Sequence, residues 1–192
     1  MYQKYNTEAL VLGSRERGES DRTIALYTRD FGLVRARAGA VRKERSKMRY
    51  ALQHYAHARA SLVRGKRGWR LAGASAIRSA SGGTGSIAIF ARIAELTLRL
   101  VRGEEDNRYL FDALSNAHEA LFGEDREEVV PTVVEIVCVA RVLYALGYIS
   151  TEALQTTLFA HTGYAGEHLL EADKLHDELL YSINRAISEA QL

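Results

Sequence analysis

From Leu33 to Ala38 apolar and cationic positions alternate strictly, with Val34, Ala36 and Ala38 on one face of an extended chain and Arg35 and Arg37 on the other. That period of two predicts a strand with one buried face and one basic face. Other short segments of the first 80 residues carry the same signal. The apolar run Glu8–Ser14 predicts a strand ending at Gly13, and the polar stretch Arg15–Ser20 a turn. Thr23–Thr28 predicts a second strand, joined through Arg29-Asp30-Phe31-Gly32 to Leu33–Ala40. Ser46–Gln53 suits a short helix. Tyr55–Val63 resumes the alternation, with Ala56, Ala58, Ala60 and Leu62 on one side and Tyr55, His57, Arg59 and Ser61 on the other. After the basic turn Arg64–Gly68, Trp69–Ala74 makes a fifth strand. Five short strands with Gly-bearing turns predict a small closed or nearly closed barrel.

The Gly- and Ser-rich stretch Ser79–Ser86 interrupts this pattern and reads as a flexible linker, placed at 81–86. Beyond it the apolar period becomes 3.6. Ile89, Ile93, Leu96 and Leu100 share one helix face, with Gly103 suited to end it. Leu110, Leu114, Ala117 and Leu121 share a second, with Gly123 as its left-handed C-terminal residue. Pro131 fits the first turn of a third helix through Val134, Val137, Arg141 and Tyr144 to Gly147, apolar nearly all round and therefore central. Thr151–Phe159 and Leu169–Ile187 complete the pattern. The expected class is α+β: a barrel domain over 1–80, a linker, and an all-α domain over 87–192.

Charge divides along the same line. The first 80 residues hold 18 of the 26 Lys and Arg and 6 of the 24 acids, a net +12, which leaves −10 for the remainder. An acidic polymer is therefore to be sought at the barrel. Five cations, Arg42, Lys43, Arg45, Lys47 and Arg49, crowd the loop after the third strand against the single Glu44. Five like charges in eight residues repel one another unless an anion lies across them, and a phosphate backbone meets that need through counterion release. A solvated surface loop explains the same composition. With Arg35, Arg37, His57 and Arg59 facing outward and Arg64, Lys66 and Arg67 at a turn, the barrel would offer a cationic groove. Tyr27, Tyr55 and Trp69 stand nearby, either to stack bases or to fill the barrel.

No catalytic apparatus is visible. The chain has no P-loop, no dinucleotide fingerprint, no HExxH and no nucleophile elbow. The six histidines show no ligand spacing beyond His176 near Asp173 and Asp177, which a solvated helix face explains. Asp21 and Asp30 flank a strand without a partner acid, leaving a metal-dependent nuclease as a minor rival. Cys138, alone in an apolar run, reads as a buried structural thiol and forms no internal disulfide. Met1–Tyr5 lacks a signal-peptide run and no stretch reaches 18 apolar residues, so a soluble, cytoplasmic protein is expected.

Five segments in order, Glu8-Ala9-Leu10-Val11-Leu12, Gly18-Glu19-Ser20-Asp21-Arg22, Tyr27-Thr28-Arg29-Asp30-Phe31-Gly32, Gly39-Ala40-Val41-Arg42-Lys43 and Ala51-Leu52-Gln53-His54-Tyr55, resemble the N-terminal OB-fold of the RecO family. Leu146-Gly147-Tyr148 is similar to a tripeptide of that family's helical domain. The resemblance implies a non-catalytic, nucleoid-associated protein of recombinational DNA repair that binds single- and double-stranded DNA and anneals complementary strands. It further implies joint action with RecR and the single-strand-binding protein in loading RecA. Many members carry a four-cysteine zinc module, which one cysteine cannot build, so no cofactor is expected. An OB-fold RNA-binding protein and a pure interaction scaffold remain as alternatives, since phosphate neutralisation alone does not separate DNA from RNA.

Overall fold

The computed structural model of the protein describes residues 3–43, 45–124, 130–150, 156–164 and 166–189. Five strands, β1 (Lys4–Arg17), β2 (Asp21–Thr28), β3 (Gly32–Ala38), β4 (His57–Gly65) and β5 (Gly68–Arg78), close into a barrel in the order β1, β2, β3, β5, β4. All neighbours pair antiparallel except β3 and β5, which run parallel over the two pairs Ala36↔Trp69 and Arg37↔Arg70. The expected alternation is realised. Val34, Ala36 and Ala38 are buried, whereas Arg35 and Arg37 are exposed. Val34, Ala36, Ala60, Leu62 and Leu71 belong to one cluster inside the barrel, and truncating such a leucine to Ala costs about 2–5 kcal/mol.

The strands are longer than their apolar runs, because main-chain pairing rather than hydrophobicity carries them on. Thus β1 pairs with β4 along Lys4–Leu10 and with β2 as far as Arg17↔Asp21, so the polar Arg15 and Glu16 lie in a hairpin strand and the turn shrinks to Gly18–Ser20. Likewise β5 extends to Arg78 opposite His57. Tyr55, expected in the fourth strand, instead precedes it at a left-handed φ of 64°. Its N–H donates to the Val11 carbonyl at 2.9 Å. The basic loop is held at both ends, since Val41 and Leu52 join the barrel core and Met48 packs against it. Between them the predicted helix is one turn, α1 (Met48–Ala51).

The remaining helices among the described residues are α2 (Thr84–Leu100), α3 (Arg108–Phe122), α4 (Pro131–Ala145), α5 (Gly166–Lys174) and α6 (His176–Glu189). None is long and apolar enough to cross a membrane. The chain forms two compact units, one of Met1–Ser81 with Ala94–Phe111 and one of Gly82–Ile93 with Asp112–Leu192. Within the first, the Glu105 backbone lies so close to Gly32, at φ 59°, that a Cβ there would stand 2.1 Å from the Glu105 carbonyl oxygen. That approach needs glycine for its φ and for its missing side chain. Leu98 packs beside Gly13, and Leu100 and Val101 are buried.

Within the second unit α4 packs against α5 and α6 and begins with Pro131 in its first turn, as expected. Arg141, fully buried, donates from Nε to the Leu158 carbonyl and from its two Nη atoms to the carbonyls of Thr162 and Gly163, at 2.9–3.0 Å. Three expectations change here. Gly123 does not adopt a left-handed φ; its N–H donates to the Glu119 carbonyl at 2.6 Å. The helix expected over Leu169–Ile187 is two helices broken at Leu175. Of the helix expected over Thr151–Phe159, residues 151–155 lie outside the described residues and 157–159 form a turn.

Candidate nucleic-acid interface

All eleven cations singled out in the sequence, Arg35, Arg37, Arg42, Lys43, Arg45, Lys47, Arg49, Arg59, Arg64, Lys66 and Arg67, are exposed. They are not equally free. Arg37 donates from Nε and Nη2 to Oδ2 of Asp21 at 3.0 and 2.6 Å, while Oδ1 of the same carboxylate accepts the Ala40 N–H at 2.9 Å. The Ala40 N–H, followed by the Arg37 guanidinium, holds the Asp21 carboxyl below its usual range. One aspartate thus ties the cationic face of β3 to the entrance of the basic loop. Ala40 itself sits at φ 53°, turning the chain into that loop.

Arg42 lies 3.3 Å from Glu16, and its N–H donates to the Ser20 carbonyl at 3.1 Å, fastening the loop to the β1–β2 hairpin. Arg64 reaches Glu104 at 3.2 Å and covers the Trp69 ring at 5.2 Å from its centroid. Among the described residues no carboxylate stands within ion-pair distance of Arg35, Lys43, Arg45, Lys47, Arg49, Arg59, Lys66 or Arg67. Of the eleven, these eight carry uncompensated charge.

The parallel pairing of β3 with β5 sets Arg70 beside Arg37 on the outer face. Around them Arg17, Lys66, Arg67 and Trp69 help to line a concavity of about 380 Å3. A shallower hollow containing Asp21, Gly39, Arg37 and Arg70 continues it toward the loop. Arg17 and Arg70 are not among the cations that the sequence singles out. The alternation Trp69 in, Arg70 out, Leu71 in was a usable signal for Arg70, whereas its position beside Arg37 was not. Arg59 joins neither hollow: it sits five residues down β4 from Arg64, roughly 17 Å along the strand, across from Glu8.

His57 is a correction. It points out of the barrel, but Phe111 covers it edge to face at 6.2 Å and it is only 8% exposed. Burial pushes its imidazole below the ordinary value, against the opposing effect of Glu8 at 3.8 Å. It is therefore no part of the cationic surface. Tyr27 is fully buried and Trp69 packs edge-on to Tyr5 at 5.6 Å and beside Phe31 at 5.3 Å, so both fill the fold rather than present a ring face. Tyr55, half-buried, meets His54 edge-on at 5.8 Å. The two aspartates considered for a nuclease are separately engaged, Asp21 as above and Asp30 by the Thr7 hydroxyl at 2.6 Å. Among the described residues no three His, Cys, Asp or Glu side chains gather as a metal site would require.

Residues 1–80 match the family model described as Recombination protein O N terminal. A DNA repair protein RecO of Desulfitobacterium hafniense is 44% identical over 62 residues, covering 32% of this chain and 23% of that protein. The DNA repair protein RecO of Dehalococcoides mccartyi is 29% identical over 183 residues, covering 94% of this chain and 64% of the relative. The chain thus spans less than two thirds of the length of these relatives.

Proposed function

We propose that this chain, whose residues 1–80 match the N-terminal model of the RecO family of DNA repair proteins, is a member of that family and a non-catalytic DNA-binding protein that anneals complementary strands and mediates recombination. The observation that carries the reading is the register pair Arg37↔Arg70, which brings Arg37 of β3 together with the Lys66–Arg67 turn in one cationic hollow. Uncompensated cations there and on the 42–49 loop neutralise phosphates by releasing counterions, so two strands approach without their full repulsion and their bases stay free to pair. In this reading residues 1–80 carry the DNA contact. RecR and the single-strand-binding protein are the chain's partners, in a cytoplasmic, nucleoid-associated pathway that loads RecA.

No cofactor enters the reading. The donor set does not fit the zinc module implied by the family resemblance: the chain has one cysteine, Cys138, buried within the helical unit. Burial pushes its thiol up to about 12, so it stays protonated at neutral pH.

The test is annealing of complementary oligonucleotides by the full chain at low and moderate salt, with gel shifts of single- and double-stranded DNA against an RNA competitor. Accelerated, salt-sensitive annealing with preference for DNA is expected. Absence of acceleration overturns the annealing role, and stronger competition by RNA replaces DNA as the ligand.

A further inference from the structure

A second basic hollow shares Gly68 and Trp69 with the first, and two of its three arginines come from beyond residue 80. The last turn of α2 and the segment after it fold with the barrel. Leu98 packs beside Gly13, Leu100 and Val101 are buried, and the Glu105 backbone rests on Gly32. Arg64 bridges to Glu104 at 3.2 Å, which fixes the far side. With its apolar residues turned inward, this segment leaves Arg99, in the last turn of α2, and Arg102, just beyond the helix end, exposed. Together with Arg35 from β3 they line a concavity of about 460 Å3.

Among the described residues none of these three arginines has an ion-pair partner, and Glu104, the one acid of the lining, is taken by Arg64. Gly68 and Trp69 line both hollows. Arg35 and Arg37, two positions apart on one strand face, therefore serve different hollows. Three guanidinia around a concavity of that size suit the oxygens of a phosphodiester.

We propose that this hollow is a second phosphodiester-backbone site, so that one chain holds two DNA strands in the two hollows that share Gly68 and Trp69. The proposal rests on the DNA-annealing reading and deepens it. Annealing by one chain needs two strands held side by side, and two cationic hollows with a common wall supply such an arrangement. It also assigns a DNA contact to Arg99 and Arg102, from the part of the sequence whose overall charge is negative.

The experiment is a calorimetric titration of the full chain at low salt with a single-stranded oligonucleotide of about six residues, short enough to occupy one hollow. The parent is expected to bind two oligonucleotides per chain. Arg99→Ala with Arg102→Ala, which keeps a helix-favouring residue at the helix end, is expected to bind one and to anneal about tenfold more slowly at unchanged thermal stability. Lys66→Ala with Arg67→Ala, in the first hollow, is also expected to bind one. If the parent binds a single oligonucleotide, or the Arg99/Arg102 variant still binds two, the second site is overturned while the annealing reading stands. If the parent binds none, both fall.

Discussion

Arg37 and Asp21 meet in a forked contact in which Nε and Nη2 of the arginine share one carboxylate oxygen, at 3.0 and 2.6 Å. The other oxygen accepts the Ala40 N–H. Asp21 therefore restrains a cation of the proposed DNA surface and anchors the loop that carries five more. In Asp21→Asn the side-chain carbonyl can still accept from Ala40, but the charge that holds Arg37 is gone. We expect single-strand binding to gain roughly one phosphate contact, steepening log K against log salt by about 0.7. An unchanged or shallower slope in a salt titration would show that Arg37 does not reach phosphate when released.

The same carboxylate predicts a pH effect of definite sign. Its folded-state pKa is depressed, first by the Ala40 N–H and then by Arg37. Its stabilisation is thus fully present above the unfolded-state value of about 3.9 and fades as pH falls through the lower folded-state value. Thermal melts should show the parent more stable than Asp21→Asn at neutral pH, with the gap closing only below about pH 4. A gap that closes between pH 5 and 7 would assign the effect to another group.

Replacing Arg42, Lys43, Arg45 and Lys47 by Ala should weaken DNA binding and slow annealing without unfolding the protein. All four are exposed, and such sites usually change stability by no more than about 0.5 kcal/mol each. Among the described residues Arg42 is the one of the four with an ion-pair partner, Glu16, so its loss also loosens the loop from the β1–β2 hairpin. The single-strand salt slope should become shallower by up to roughly 3. Annealing at the parent rate would identify the loop as a solvated surface and leave Arg35 and the Arg37–Arg70 hollow as the working face.

Gly32→Ala and Gly18→Ala separate backbone conformation from close approach. Both glycines have φ near 60°, but a Cβ on Gly18 meets open space while one on Gly32 collides with the Glu105 backbone. Gly18→Ala should cost about 1–2 kcal/mol. Gly32→Ala should cost distinctly more and, by displacing Arg99 and Arg102, also slow annealing. Equal urea midpoints for the two variants would contradict the packing of residues 101–107 on the barrel.

Arg141→Met tests the buried cation of α4. It leaves three carbonyl acceptors, of Leu158, Thr162 and Gly163, without their donor. Loss of a buried, fully engaged charge partner typically costs about 3–5 kcal/mol. Chemical denaturation should show that loss while salt-dependent DNA binding at low temperature stays as in the parent. A change below about 1 kcal/mol would mean that water replaces the guanidinium at little cost.

The sequence by itself determined most of the elements and their faces, because those depend on neighbours two to four residues away. Val34, Ala36 and Ala38 had to turn inward if Arg35 and Arg37 turned out, and Pro131 and Gly147 bracket α4 through their own backbone preferences. It also marked the basic loop and the division of charge. Only the tertiary structure decided which cations act together and which are spent on partners within the protein. Arg70 stands beside Arg37 because β3 and β5 close the barrel in parallel, and Arg37 is half-neutralised because Asp21 lies across the β2–β3 pair. His57 left the surface because Phe111, 54 positions on, covers it. Arg99 and Arg102 joined the barrel because Gly32 leaves room for the Glu105 backbone. Each is a contact between residues far apart in the chain, set by strand closure and side-chain packing, and a local period of two or 3.6 holds no information about either.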